Sequence, residues 1–274
     1  MQKIKYGLVI SDFDGTLVND DQSICEINKN AIAQFRQDGG VFAISTGRMP
    51  QGIVAQAREL GLQGAVSCCQ GSIIMDIQSG KPIYDDIIPN KVAVKIAKKI
   101  EELGVHLHVY DLTNFYSNVE DEALKWYEFA TRSKGIIIPN LSAFLEETGK
   151  GSYKFLAMVR PEDNARIFAE LEKENFEGCC VTKSGDNLVE VINAKNSKGT
   201  AVEFLSKYYG VPLEKTVGIG DQWNDIPMIE QAGLGVAVKN ADERLKNAAD
   251  LVLPYTNEEG AVGKFIQEFA YEKE

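Results

Sequence analysis

The first indication of the fold lies in the stretch YGLVISDFDGT, residues 6–16. Its opening residues, 6–11, form a mostly apolar run without alternation, which is typical of a strand buried on both faces of a parallel sheet. Asp12 and Asp14 follow where this strand would end. Ligands of open α/β sheets bind beyond the carboxyl ends of the strands, so we expect both carboxylates to project into a binding crevice.

Two carboxylates in such a crevice have a definite chemistry. Their oxygens can hold Mg²⁺, one of them can attack phosphorus to form an aspartyl-phosphate, and the other can exchange a proton with the leaving oxygen and with water. For an isolated Asp-x-Asp the simpler interpretation is a turn with two solvated acids. The strand before Asp12 and the Gly15-Thr16 pair after Asp14 favour an active site instead.

A second polar motif, Ser45-Thr46-Gly47-Arg48, ends the next predicted buried strand, residues 41–45. A hydroxyl and a backbone N–H at this place would bind a non-bridging phosphate oxygen, and Arg48 offers a forked cation. Thr-Gly commonly ends a strand before a helix, so this motif alone is a weak indication. It gains weight because its strand is expected to neighbour the first one.

Two further motifs lie nearer the C-terminus. Asp221 follows a predicted strand, residues 216–219, and Asn224 and Asp225 are spaced to face the site as a metal ligand or its support. Lys198 begins the helix before that strand. Several aspartates can share a site as anions only with compensating positive charge, and a lysine would supply it while holding a phosphoryl group.

These four motifs, in this order and each at a strand end or a helix start, resemble the haloacid dehalogenase (HAD) superfamily. The resemblance implies that Asp12 is the nucleophile and that Asp14 is the general acid and base, which also coordinates Mg²⁺ through its main-chain carbonyl. The metal ligands that it implies are Asp12, Asp14 and Asp221, with Asp225 in a supporting position. The residues that it implies for binding the phosphoryl group or substrate are Thr46, Gly47, Arg48, Lys198 and Asn224.

Strands and helices alternate at both ends of the chain, which predicts a parallel sheet covered on both faces. In the middle, pairs of adjacent strands follow a helix, which predicts an antiparallel sheet with helices on one side. We expect an α/β fold with a doubly wound, Rossmann-like core of residues 1–85 and 191–274, interrupted by an α+β domain of residues 86–190. This insert resembles the C2B cap of the Cof-type HAD phosphatases, which closes over the substrate and selects the leaving group.

The sequence departs from that branch at two places near the junction of core and cap. It has Gln70-Gly71-Ser72 where the branch usually has Asn-Gly-Ala, and Asn193-Ala194-Lys195-Asn196 where the branch is usually closer to Pro-x-Gly-Val. Both departures bear on the substrate more than on catalysis. More locally, Ser23-Ile24-Cys25-Glu26 has the capping-box pattern that predicts the start of a helix.

Composition narrows the class of protein. The 274 residues carry a formal net charge of −11, which disfavours nucleic acid and anionic membranes as partners. The N-terminal apolar run is too short for a signal peptide, and no stretch is long enough to span a membrane, so we expect a cytoplasmic protein. The five cysteines form no C-x-x-C pattern and are odd in number, so we expect free thiols rather than disulfides or zinc ligands.

A few residues outside the motifs are candidates with an ordinary alternative. His106 and His108 alternate on a predicted strand of the insert and so share a face, where we expect ordinary sheet positions rather than a metal site. Lys154, Glu190 and Trp223 would line a cleft between core and insert. Each also has a plain interpretation, as a charge on a sheet, a hinge ion pair and a packing residue respectively.

The function expected from the sequence is a Mg²⁺-dependent phosphatase that acts on a small phosphorylated metabolite through an aspartyl-phosphate. Sugar phosphates, flavin mononucleotide and pyridoxal phosphate all fit a capped cleft. Two alternatives remain open: a phosphosugar mutase or phosphotransferase on the same core, and a ligand-sensing protein without turnover. The second alternative predicts the loss of a motif, and all four are present. The sequence does not determine the oligomeric state.

Overall fold

A computed structural model describes residues 3–272, in which the backbone forms fourteen strands in three sheets. The strands are β1 Leu8–Ser11, β2 Val41–Ile44, β3 Ala65–Cys68, β4 Ile73–Asp76, β5 Pro82–Asp85, β6 His106–Tyr110, β7 Phe115–Ser117, β8 Gly135–Ile137, β9 Lys154–Met158, β10 Cys179–Gly185, β11 Leu188–Asn193, β12 Thr216–Gly220, β13 Leu234–Ala237 and β14 Leu251–Val252.

Ten α-helices occur in the same part of the chain, and none of them is long and apolar enough to cross a bilayer. The helices are α1 Glu26–Gln37, α2 Pro50–Glu59, α3 Asn90–Glu102, α4 Glu122–Thr131, α5 Leu141–Thr148, α6 Pro161–Lys173, α7 Lys198–Tyr209, α8 Ile226–Gln231, α9 Glu243–Ala248 and α10 Ala261–Phe269.

The core sheet is parallel throughout, in the order β14-β13-β12-β1-β2. Alternate side chains of β1 enter different apolar clusters. Val9 belongs to the cluster that contains Phe35 of α1, whereas Leu8 and Ile10 belong to the cluster that contains Leu205 of α7. Helices therefore cover both faces, which confirms the doubly wound core and puts the end of β1 where the strand order reverses.

The third strand is an exception to the predicted parallel pattern. β3 pairs antiparallel with β4, and β4 with β5, so these strands form a separate three-stranded sheet. A single parallel bridge between Ser45 and Ser67 joins β3 to the end of β2. β4 lies between β3 and β5 and pairs with both. β3 therefore pairs along its whole length with β4, the next strand in the chain, rather than with a strand of the core sheet.

The predicted capping box at the start of α1 is wrong. The helix begins at Glu26 after Cys25, which makes no side-chain capping hydrogen bond. Ser23 belongs to the preceding turn, where its hydroxyl accepts a hydrogen bond from Asn19 Nδ2 at 3.0 Å and its backbone N–H donates to Asp21 Oδ1 at 2.8 Å. These local bonds compete with capping, because a serine next to turn residues can satisfy the turn instead.

The six-stranded sheet has the order β10-β11-β9-β6-β7-β8 and is antiparallel except between β7 and β8. Helices α3, α5 and α6 share an apolar cluster with one face of this sheet. Helix α4 packs elsewhere, since Leu124 and Tyr127 join the cluster of the core. The prediction that the helices of this segment lie on one side of its sheet is therefore confirmed for three of the four helices. β11 extends to Asn193, across the predicted boundary at residue 190, and the domain boundaries stay a prediction.

The chain passes between the core sheet and the six-stranded sheet twice, and the two passages are bonded to each other. Asp86 Oδ2 on the outward passage accepts hydrogen bonds from Asn193 Nδ2 at 3.0 Å and from Asn196 Nδ2 at 3.1 Å on the return. Two residues after Asp86, an antiparallel backbone bridge joins Ile88 to Ser152. The departure at residues 193–196 therefore supplies amides that join the two passages.

Candidate active site

The predicted site residues converge at the carboxyl end of the core sheet, around a cleft of about 380 Å³. They come from four places in the chain: the turn after β1, the turn after β2, the first residue of α7 and the turn after β12. The predicted residues that line the cleft are Asp12, Asp14, Thr46, Gly47, Arg48, Lys198 and Asn224. Asp221 and Asp225 lie buried behind them.

Lys198 is fully buried and pairs with two of the aspartates. Its Nζ lies 2.7 Å from Asp12 Oδ1 and 2.5 Å from Asp225 Oδ1. Burial raises the pKa of Asp12 to about 7, with the charge of Asp225 adding to the effect and Lys198 opposing it. The ammonium thus fixes one oxygen of Asp12 and leaves the other without a hydrogen-bond partner in residues 3–272.

Asp225 uses both carboxylate oxygens inside the protein. Oδ1 faces Lys198, and Oδ2 accepts hydrogen bonds from the backbone N–H groups of Asp221 and Gln222, each at 3.0 Å. A Cβ at Gly220 would lie 2.5 Å from Asp225 Cβ, so the turn requires glycine there. Asp225 therefore holds the turn after β12 and positions Lys198.

Asp221 is a second buried acid of the site and contacts Thr16 and Gly15. Its Oδ1 accepts a hydrogen bond from Thr16 Oγ1 at 2.7 Å, and burial raises its pKa well above the ordinary value, reinforced by the charges of Asp12 and Asp225. Gly15 has a φ of +71°, and a Cβ at this position would overlap Asp221 Oδ2. The Gly-Thr pair after Asp14 thus makes room for Asp221 and binds it.

The donor set fits a divalent cation that prefers oxygen. Ligand atoms of Asp12, Asp221 and Asp225 lie within 4.8 Å of one another. Both oxygens of Asp225 already have protein partners, so Asp12 and Asp221 are the side chains with free oxygens. Asn224 Oδ1 is buried without a partner. Three carboxylates against one lysine leave excess negative charge, which suits a hard cation such as Mg²⁺.

Asp14 does not join this cluster, and its side chain pairs with Arg48 on the open side of the cleft. Arg48 donates from Nε at 2.8 Å and from Nη2 at 2.5 Å to the two oxygens of Asp14, and Nη2 also donates to Gln22 Oε1. The guanidinium lies 4.7 Å from the centre of the Phe13 ring. Its fork, which the sequence suggested for phosphate, binds Asp14 in this structure.

Thr46 and Gly47 form the wall beside Asp12. The buried Thr46 hydroxyl accepts a hydrogen bond from the backbone N–H of Arg48 at 3.1 Å, which leaves its own proton free for a ligand. A Cβ at Gly47 would lie 2.7 Å from Gln70 Nε2. Gln70 is a residue whose role the motifs did not reveal; only its departure from the usual asparagine marked it.

Among the additional candidates, Lys154 and Glu190 line the cleft and Trp223 does not. Trp223 stacks on Phe168, with ring centres 5.5 Å apart, and lies 3.9 Å from the Arg244 guanidinium carbon, which agrees with packing. Tyr127 and Ser184 also line the cleft, and sequence reasoning missed both. A lone tyrosine or serine outside a motif carries no signal that distinguishes a lining position from an ordinary one.

The two histidines share a face of β6, as predicted, and lie apart from the catalytic cluster. Their Nε2 atoms are 2.9 Å apart, and His106 also contacts Ser117 Oγ at 2.8 Å and Asp121 Oδ2 at 3.1 Å. His108 contacts the Tyr110 hydroxyl at 3.3 Å. These contacts are with other side chains of the same sheet and of the turn before α4.

Comparisons with known proteins agree with this geometry. A profile of the haloacid dehalogenase-like hydrolases matches residues 9–266. A putative phosphatase of Haemophilus influenzae is 30% identical over 93% of this chain and 95% of its own length. The Bacillus subtilis 5-amino-6-(5-phospho-D-ribitylamino)uracil phosphatase YitU is 27% identical over 96% and 97%. The solved structure of a haloacid dehalogenase-like hydrolase from B. subtilis superposes with a TM-score of 0.86 at 26% identity, covering 96% of this chain and 99% of that one.

Proposed function

Because this chain belongs to the haloacid dehalogenase-like hydrolase family, we propose that it is a Mg²⁺-dependent phosphatase that hydrolyses small phosphate monoesters through an aspartyl-phosphate on Asp12. The observation that carries the proposal is the arrangement of Asp12 itself. One carboxylate oxygen is held by Lys198 at 2.7 Å, while the other is free at the edge of the cleft. An anchored carboxylate with one free oxygen is a positioned nucleophile.

In the first step, the free oxygen of Asp12 forms a bond to phosphorus as the bond from phosphorus to the ester oxygen breaks. Lys198 and the free hydroxyl proton of Thr46 stabilise the negative charge on the transferred phosphoryl group. Mg²⁺, held by Asp12, Asp221 and the main-chain carbonyl of Asp14, would supply the positive charge that lets two anions approach. Gly47 and Asn224 line the same part of the cleft.

Asp14 transfers the protons that the two steps require. It enters the first step in its protonated form and gives that proton to the leaving oxygen. In the second step it takes a proton from water, whose oxygen bonds to phosphorus as the bond to Asp12 breaks, which releases inorganic phosphate. Arg48 binds both oxygens of Asp14. The Asp14 side chain is nevertheless 48% exposed, so Asp14 reaches a leaving group in the cleft. Arg48 thereby acts on the substrate through Asp14.

The insert of residues 86–190 is proposed to be the cap that selects the leaving group. It contributes the wall of the cleft that faces the catalytic cluster, through Lys154 and Glu190. YitU is named for a phosphorylated ribityl compound, which supports a sugar phosphate or a related metabolite as the substrate. All five cysteines are free thiols, which supports a reducing cytoplasm as the location.

Replacement of the nucleophile tests the proposal. In Asp12→Asn, phosphate release from 4-nitrophenyl phosphate should fall by about a thousandfold or more, because the amide cannot attack phosphorus. Chelation of Mg²⁺ should abolish release by the wild type, and Mg²⁺ should restore it. Asp163→Asn, which changes an ion pair with Arg160 at the start of α6, is the matched control. Wild-type rates in Asp12→Asn, or rates insensitive to chelation, would refute the mechanism.

A further inference from the structure

The wall of the cleft opposite the catalytic cluster contains charges that the proposed reaction does not use. Lys154 on β9 and Glu190 on β11 line the cleft, although each side chain is only 2–3% exposed. The alternate residues of these strands, Phe155 and Val189, lie in the apolar cluster under α3, α5 and α6. Because side chains alternate along a strand, both charges face the catalytic side of the sheet.

Lys154 has more hydrogen-bond donors than the protein uses. Its ammonium offers three N–H groups, and the acceptor that it finds within residues 3–272 is Glu190 Oε1, at 3.4 Å. It also lies 4.9 Å from the centre of the Tyr110 ring. Burial opposes the charged form of Lys154, but the Glu190 charge together with Tyr127, Cys69 and the hydrogen bond to Glu190 raises its pKa overall, so the group stays protonated. A buried cation with donors to spare points to an acceptor on a ligand.

Glu190 is held from two sides. Ser184 Oγ donates to Oε1 at 2.5 Å, and Gln70 Nε2 donates to Oε2 at 3.1 Å. Gln70 in turn accepts from Asn224 Nδ2 at 3.0 Å and has a positive φ of 58°. Two hydrogen bonds thus connect Glu190 to the phosphate side of the cleft, and they fix its orientation relative to the catalytic cluster.

Tyr127 adds a second donor beside Lys154. Its hydroxyl accepts a hydrogen bond from the Tyr110 hydroxyl at 2.8 Å, so its own proton remains to be donated, and the residue lines the cleft. Next to it on α4, Trp126 and Phe129 are 49% and 69% exposed and also line the cleft. The wall therefore combines two donors, one carboxylate acceptor and exposed aromatic surface.

We propose that Lys154, Glu190 and Tyr127 bind the leaving group, and that this group is uncharged and presents a hydrogen-bond acceptor beside a donor. Neighbouring hydroxyls of a sugar and the amide edge of a ring share this chemistry. The inference rests on the proposed phosphatase function and names the substrate class of that same site.

Charge balance favours an uncharged group over a second anion. Lys154 and Glu190 sum to zero, so an additional carboxylate or phosphate on the leaving group would meet Glu190 as well as Lys154. A buried ion pair is also a poor stabiliser, because desolvation of both charges offsets their attraction. A pair retained beside a cleft, with unused donors, is better explained by a ligand than by stability.

The test uses two isosteric substrates that differ in charge, 4-carbamoylphenyl phosphate and 4-carboxyphenyl phosphate. The wild type should have the higher kcat/KM for the carbamoyl compound. In Glu190→Gln the ratio of carbamoyl to carboxyl should fall by about tenfold or more, because Lys154 is left without its counter-charge. In Lys154→Met the ratio should rise. A ratio of two substrates does not depend on the fraction of enzyme that folds.

Glu172→Gln on α6 and Lys91→Met on α3, both exposed, are the matched controls and should leave the ratio unchanged. The same ratio is measured for glucose 6-phosphate and 6-phosphogluconate. A response in this pair indicates that the wall binds the hydroxyls of a sugar, whereas a response only in the aryl pair indicates that it binds an amide. An unchanged ratio in Glu190→Gln for both pairs, or a wild type that prefers the carboxylates, would mean a merely structural ion pair and overturn the inference. Failure of the phosphatase itself would appear separately, as 4-nitrophenyl phosphate hydrolysis that survives in Asp12→Asn.

Discussion

The guanidinium of Arg48 binds both carboxylate oxygens of Asp14, at 2.8 and 2.5 Å. The two side chains differ sharply in environment, because Arg48 is 3% exposed and stacked on a ring whereas Asp14 is 48% exposed. The buried partner is therefore the fixed one, and it sets the position of the exposed one. A residue of the second motif thus sets the position of Asp14, the proposed acid and base in the first motif.

Arg48→Lys should lower kcat/KM by about tenfold for an alkyl phosphate, since lysine lacks the fork that orients Asp14. The loss should be smaller for 4-nitrophenyl phosphate, whose leaving group needs little protonation. Steady-state kinetics on both substrates, with the exposed Arg166→Lys as control, measures the difference. Equal losses on the two substrates would contradict a role through Asp14.

Lys198→Met should lower the free energy of unfolding by about 3–5 kcal/mol, because it leaves Asp12 and Asp225 buried without their cation. Phosphate release by the folded fraction should fall at least about a hundredfold, since charge stabilisation of the phosphoryl group is lost. Urea denaturation and kinetics measure the two effects. Lys207→Met, on the exposed side of the same helix, should change neither, and a stable Lys198→Met would refute the pairing.

Gly15→Ala and Gly149→Ala form a matched pair. Both glycines have a positive φ, +71° and +67°, so alanine should cost about 1 kcal/mol of conformational strain at either position. At Gly149 nothing lies within 4 Å of the new methyl group, whereas at Gly15 it would overlap Asp221. Denaturation should show a clearly larger loss for Gly15→Ala, together with weaker Mg²⁺ binding measured by calorimetry. Equal losses would mean that the contact with Asp221 is unimportant.

His108 should make the protein less stable in mild acid. Burial lowers its pKa well below the ordinary 6.5, with neighbouring His106 and Lys154 adding to the effect, while the hydroxyls of Tyr110 and Tyr127 remain neutral. A group whose pKa is lowered on folding supports the fold above pH 6.5 and loses that support as the pH falls below it. Between pH 7.5 and 5.5 this contributes a loss of about 1 kcal/mol in the free energy of unfolding.

Denaturation of wild type and His108→Phe at both pH values isolates this contribution, since the carboxylates of the active site titrate equally in both proteins. The variant places an apolar ring beside Phe115, whose centre lies 4.9 Å from that of His108. We expect a flatter pH dependence in the variant. Identical pH dependences would show that His108 does not resist protonation.

The sequence predicted which residues gather at the candidate site, because each stands at the end of a strand or the start of a helix. The positions of Asp12, Lys198 and Asp221 could be predicted from this local pattern, since parallel strands bring their carboxyl ends to one edge of the sheet. The pairing of Arg48 with Asp14 did not follow, because a forked cation matches phosphate and carboxylate equally well. Only the distance between two turns decides which of them it binds.

The polar wall of the cap was harder to predict. Lys154 and Glu190 stand on adjacent antiparallel strands, and a charge on a strand is usually solvated, so nothing local marks them as buried. The departures from the Cof-type pattern were better guides. Gln70 contacts Glu190, and Asn193 and Asn196 bind Asp86, so these three residues have partners from a distant part of the chain.

The bonds of Asp86 to Asn193 and Asn196 have a mechanical consequence. If the two connections were independent, the cap could both slide and rotate relative to the core. Because they are hydrogen-bonded side by side, they resist sliding and permit mainly rotation. We expect the cap to swing about one hinge axis at this junction. Such a swing would carry Glu190 away from Gln70, so a spectroscopic probe across that pair would report opening directly.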